Sequence, residues 1–216
     1  MPQLSPKTNR RENGNSILEF SIIAPFMVTA LLGTIGVGFT LGRAIQINQV
    51  TRDSGHMFFD GVDFSQTANQ KIIGRLSYGM GLASDPVGTI NTSGNGVVIL
   101  TQIIQVGATE CANGGYSSVG SCPNYNDLVI EKRIVIGNSS LLNSAYGTPS
   151  AGLITSDGSI TPNDYCTSSS AVVTTGSRAS NLNLVGGQYT YVVEAYFVTP
   201  TLSGFWSNSA YSYVMM

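Results

Sequence analysis

Histidine occurs once in these 216 residues, at position 56, and Asp, Glu, Lys and Arg together make up only 10% of the chain. A single imidazole, with no second histidine or acid at ligand spacing beside it, excludes a paired-histidine or HExxH zinc site. No Ser/His/Asp, Cys/His, paired-acid or phosphate-loop constellation is present, so the expectation is a protein that is not an enzyme and carries no cofactor. Ten basic residues against twelve acidic ones leave a net charge of −2. That balance provides no basic footprint for nucleic acid.

Charge is scarcest from Ser16 to Gly42. Glu19 is the one ionisable side chain there, and from Ile17 the run reads ILEFSIIAPFMVTALLGTIGVGFTLG. At about 1.5 Å per residue, a helix over about 17–42 crosses a hydrocarbon core of roughly 30 Å. Lys7, Arg10 and Arg11 precede the run, while Arg43 alone stands beyond it before Arg52. The positive-inside bias therefore predicts a single-pass chain with a cytoplasmic N-terminus and most of its residues exported. A cleaved secretory signal fits less well, because the run is too long and Gly38 to Gly42 offers no Ala-x-Ala site.

Glu19 needs an explanation, since a carboxylate in a membrane helix costs a few kcal/mol and usually has a positive partner. The stretch Gly14-Asn15-Ser16-Ile17-Leu18-Glu19-Phe20 resembles the start of type IV pilins and pseudopilins. In these a basic leader ends in Gly, and the fifth residue after it is Glu, often followed by Phe. The longer pattern RRENGNSILEFSIIAPFMVTALLGTIGVGFTLGRAIQINQVTRDSG looks most like the TadE/TadG-like minor pilins of the tight-adherence (Tad, Flp) pilus system. The likeness covers roughly the first quarter of the chain. It departs from that branch at Asn15 and Ser16, which are polar where Ala and Val are usual.

The resemblance implies a bacterial inner-membrane protein whose leader, residues 1–14, is removed by a prepilin peptidase between Gly14 and Asn15. Glu19, with Phe20 beside it, would then offset the new α-amino charge of a neighbouring subunit during assembly, because an opposite charge nearby favours the ionised acid. Partners would be the peptidase, other pilin subunits and the assembly machinery of a Tad-type pilus used in surface adhesion. The domain beyond the membrane would be periplasmic, or extracellular in the pilus. A type II secretion pseudopilin and an uncleaved membrane-anchored extracytoplasmic binding protein are the alternatives.

Within the span, Pro25 removes a backbone hydrogen bond and is expected to bend the helix. Gly38 and Gly42 have the four-residue spacing that lets helices approach closely. The helix is expected to continue to about Phe58, with Ile45, Ile47, Val50, Met57 and Phe58 too irregular for a clean stripe, and with Gly55 and Gly61 weakening or ending it. His56 reads as a partly exposed helix residue.

Residues 61–216 read as an α+β domain with long Gly/Ser/Thr/Asn-rich loops. Ser65 to Ala83 carries a second amphipathic pattern through Ile72, Ile73, Leu76 and Met80. Val97–Val106, Asp127–Ile136 and Gln188–Thr199 are β-branched runs bounded by turn residues, which predict strands. GFWSNSAYSYVMM, with Phe205, Trp206, Tyr211 and Tyr213, reads as a subunit contact or, more ordinarily, as a last strand or hairpin covering the core. The fold class is therefore a long N-terminal transmembrane helix leading into an antiparallel sheet, and the resemblance makes it pilin-like.

The loops 138–159 and 167–183, with Tyr116, Tyr125 and Tyr165, are either a contact surface or solvated connections. Of the three cysteines, Cys111 and Cys122 close a short Gly-rich loop, and a disulfide is permitted there outside the cytoplasm. Cys166 is left to pair with one of those two instead, or to stay buried.

Overall fold

The computed structural model describes residues 12–174, 176, 179, 182–199 and 208–216. The leader cations Lys7, Arg10 and Arg11, and the aromatics Phe205 and Trp206, lie outside the described residues. The chain divides into two compact units, Met1–Gly42 and Arg43–Met216. Helix α1, Glu12–Phe59, is 48 residues long and is continuous through Pro25.

The second unit is built on a four-stranded antiparallel sheet in the order β2-β1-β3-β4. Its strands are β1 (Gly96–Gln105), β2 (Leu128–Gly137), β3 (Tyr189–Thr199) and β4 (Asn208–Met215). The α+β class and the antiparallel sheet expected from the periodicities are therefore present. β1 lies between β2 and β3, pairing Leu100 with Ile134 on one side and with Val193 on the other. Eight of its ten residues are buried, which explains why GVVILTQIIQ shows no polar alternation: a strand covered on both faces has no wet side. Between Gln102 and Ile103 the register slips, so that Glu131 of β2 is the extra residue of a bulge.

One face of the sheet takes the C-terminal part of α1. Ile47, Val50 and Phe58 pack with Val98, Leu100, Ile134, Ile136, Val193, Ala195 and Phe197. The buried positions of this part of α1 are Ile47, Val50, Thr51, Ser54, Gly55 and Phe58. That is a regular helical stripe, and it corrects the expectation that no clean stripe exists here. Small and hydroxyl residues occupy its middle, so a search for large apolar side chains passes over it. Thr51 keeps the stripe dry by donating its hydroxyl to the Ile47 carbonyl at 2.8 Å.

Gly55 does not weaken α1. A Cβ at this position would come within 2.9 Å of Met216 Cε and 3.0 Å of Val214 Cγ1, so the glycine lets the C-terminal strand lie close against the helix. The helix ends two residues before Gly61, whose φ of +83° suits a turn that side-chain-bearing residues resist.

Helix α2, Thr67–Leu76, is shorter than the amphipathic pattern implied. Gly79 and Gly81 adopt φ of +84° and +94°, and these left-handed positions break the helix before Met80 and Leu82 reach the core by a turn. Ile73 is fully buried, whereas Ile72 and Leu76 are exposed.

The stripe assignment separates two neighbouring isoleucines, Ile47 at 1% exposure and Ile45 at 51%. Ile47→Ala is expected to cost about 2–5 kcal/mol through the cavity it leaves. Ile45→Ala should stay within about 0.5 kcal/mol of the parent. Denaturant unfolding of the full chain in detergent, followed by tyrosine fluorescence, measures both, and equal losses would contradict the stripe.

Candidate functional site: the apolar helix and the loop layer

The residues singled out in the sequence fall into two groups. Gly14, Asn15, Glu19, Phe20, Pro25, Gly38 and Gly42 all lie along α1 within the first unit. Ile17, Leu18, Phe20, Phe26, Met27, Val37, Phe39 and Leu41 are each more than 60% exposed. An apolar surface on all sides is the pattern of a membrane span or of a helix buried in a large core. Among the described residues this is the one helix long and apolar enough to cross a membrane.

The polar groups of the run are silenced internally. Ser21 donates to the Ile17 carbonyl at 2.8 Å, Thr34 to Leu31 at 2.8 Å and Thr40 to Gly36 at 2.9 Å. Thr29 donates to the carbonyls of Pro25 and Phe26, at 3.0 and 2.9 Å, in the turn that follows the proline. Such bonding lets hydroxyls sit in hydrocarbon without an unmet donor. Glu19 remains exposed among apolar neighbours. A Cβ at Gly38 or Gly42 would meet nothing within 4 Å, so both present open helix surface.

In the second unit the long connections form a layer over the other sheet face. Two short stretches extend the sheet beyond β2. Ile130 donates to the Ala171 carbonyl and Val173 to Leu128, both at 2.8 Å; Arg133 donates to Gly158 and Ile160 to Glu131, both at 2.7 Å. The segments expected to be solvated connections or a contact surface thus protect an edge strand. Tyr165 is 3% exposed and belongs to the core, which removes it from any contact surface. Burial, with Glu131, Cys166 and Glu110 nearby, pushes its phenol well above the ordinary range. Tyr116 is half-buried and Tyr125 is exposed.

Cys111 and Cys122 form the disulfide that their spacing suggested, with a Cα–Cα distance of 5.8 Å. Cys111 lies in the short helix α3 (Ala108–Asn113), and Cys166 lies in α4 (Pro162–Thr167) as a buried free thiol. Asn124, two residues after the disulfide, donates its side-chain amide to the carbonyls of Tyr165 and Ser168 at 2.8 and 3.0 Å.

Two charged side chains were not singled out from the sequence. Glu194, in the middle of β3, is fully buried; it accepts hydrogen bonds from the Ser144 hydroxyl, from Ala145 N–H at 3.0 Å and from the Tyr211 hydroxyl at 2.7 Å. Arg133 on β2 is 4% exposed and donates from Nη1 to the Gly147 carbonyl. Burial pulls its guanidinium down to about 10, while the Glu194 carboxylate acts against that fall. Together they clasp the segment 144–147 onto the sheet. A signal was available, because one acid in YVVEAYFV and one arginine in RIVI interrupt otherwise apolar strands, and a charge so placed needs a partner.

His56 is exposed in the last turn of α1. Gln46, Gln49, Val50, Asp53, Leu76, Tyr78 and Met80 line a cleft of about 200 Å³. Ligand pockets usually measure roughly 300–1,000 Å³. No protein-family model matches the chain, and no curated protein or solved structure is significantly similar to it.

If Glu194 anchors the loop layer, Glu194→Ala should cost about 3–5 kcal/mol, since it removes the acceptor of the Ser144 hydroxyl and the Ala145 N–H and leaves Arg133 without its buried counter-charge. Glu194→Gln keeps an acceptor and should cost less, about 1–3 kcal/mol. Denaturant midpoints rank the two, and an alanine variant as stable as the parent would refute the clasp.

Proposed function

We propose that the chain is a non-enzymatic, single-pass subunit of the TadE/TadG-like minor pilin kind. In this reading a prepilin peptidase removes the leader after Gly14 on the cytoplasmic side of the inner membrane. The helix from Asn15 onward then carries the subunit into a Tad-type pilus, whose use is surface adhesion. The observation that carries the reading is Glu19, the one ionisable group in an apolar run of helix, placed five residues after Gly14. Insertion of such an acid costs a few kcal/mol. A positive α-amino group at Asn15 of an adjacent subunit would offset that cost, and it exists only after cleavage.

The remainder of the first unit supports this role. Apolar surface faces every direction and internally bonded hydroxyls remove polar obstacles. Such a helix can pass from lipid into a bundle of like helices without exposing new polar groups. Gly38 and Gly42 would let neighbouring helices close in. In the second unit the disulfide between Cys111 and Cys122 suits a domain that folds outside the cytoplasm.

N-terminal sequencing of the chain, recovered from cells with and without their prepilin peptidase, tests the reading. A start at Asn15 only when the peptidase is present is the expected result. A retained leader in both would leave a static anchor and defeat it. Glu19→Ala should still be cleaved at Gly14 but should lower the amount of subunit assembled at least tenfold, measured by immunoblot of sheared filaments. Normal assembly of that variant would remove the proposed charge pairing.

A further inference from the structure

The three cysteines meet in the core of the loop layer. All are buried, and their sulfur atoms lie within 4.8 Å of one another. Cys111 and Cys122 are bonded, while Cys166 is a thiol that donates weakly to the Glu110 carbonyl at 3.5 Å. Two backbone contacts hold this meeting in place. At the end of α3, a Cβ on Gly114 would come within 3.1 Å of the Pro162 carbonyl and 3.2 Å of Cys166 Sγ, so α3 and α4 meet closely at a glycine. The segment after Cys122 is tied to α4 by Asn124, whose N–H donates to the Cys166 carbonyl at 3.1 Å.

From this arrangement we infer that Cys111, Cys122 and Cys166 form one thiol–disulfide exchange unit, in which Cys166 displaces either bonded sulfur and the cross-link moves among three positions. In the step, which runs while the loop layer is only partly assembled and open to solvent, the Cys166 thiol gives its proton to solvent and the thiolate attacks Sγ of Cys111 or Cys122. A new S–S bond forms as the old one breaks, and the displaced sulfur leaves as a thiolate that takes up a proton. One disulfide and one thiol stand on each side, so no oxidant is consumed.

The unit has a purpose in oxidative folding. Cys111 and Cys122 are 11 residues apart, so chance closure favours them in the unfolded chain. A bond from Cys166 to either one closes a longer loop, and closure entropy grows only slowly with loop length, so these pairs compete with Cys111–Cys122 in the unfolded chain. Exchange lets whichever bond forms first be converted, inside a partly assembled loop layer, to the native one. Burial and the Glu110 carboxylate push the Cys166 thiol up. The thiolate is therefore scarce in the finished fold, and the native bond is kinetically held there.

The test follows the wild-type full chain, reduced and unfolded, then refolded in detergent with oxidised glutathione. Samples are quenched with acid, alkylated and mapped by mass spectrometry. The expected result is transient Cys111–Cys166 or Cys122–Cys166 species that convert to Cys111–Cys122 after glutathione has been removed. Cys111–Cys122 as the sole intramolecular species at every time, with Cys166 always free, would overturn the inference. Cys111→Ser and Cys122→Ser provide a second reading: each should form the remaining bond to Cys166 in at least tenfold excess over its glutathione adduct. If either variant fails to fold, the wild-type time course decides alone.

Discussion

Everything in the second unit depends on covering a four-stranded sheet on both faces. β1 is buried almost throughout and lies between β2 and β3, so opening either of its faces would put apolar side chains in water. The C-terminal part of α1 covers one face through a stripe whose middle is Thr51, Ser54 and Gly55. Small residues there bring the helix axis close to the strands, and the larger Ile47, Val50 and Phe58 fill the space on either side. Phe58 completes the seal with its ring edge-on to Tyr191, centroids 5.1 Å apart.

Among the described residues no long helix lies on the opposite face, and a layer of short helices and turns covers it instead. Such a layer has few ladder hydrogen bonds of its own, so it is fastened by specific groups. Glu194 and Arg133 clasp residues 144–147, Asn124 ties the disulfide segment to α4, and residues 158–160 and 171–173 bond to the outer edge of β2. Buried charges are weak evidence of net stability. Their value here is positional, since the segment between Ser144 and Gly147 offers its hydroxyl, amide and carbonyl groups to those two charges.

Much of this was legible in the chain itself. The apolar run, the strand segments and the Cys111–Cys122 pair carry local signals in hydrophobic period and spacing. The helix stripe was missed because its period is written in Thr, Ser and Gly, which scales of hydrophobicity do not mark. The extent of α2 was overestimated because Gly79 and Gly81 act through backbone conformation rather than polarity. The loop layer was illegible for another reason: Tyr146 and Tyr165 are buried by contacts between residues distant in sequence, and no local pattern encodes those.

On the proposed reading, one helix serves two solvents. Its first part is apolar on all sides and meets lipid or other helices; its last part is apolar on one stripe and meets a sheet. The most direct test of that account is where the chain is found in cells that make filaments. Filaments sheared from the surface should contain this chain without residues 1–14, in an amount small beside the main subunit. Recovery only from the membrane fraction, with filaments present but free of the chain, would contradict it.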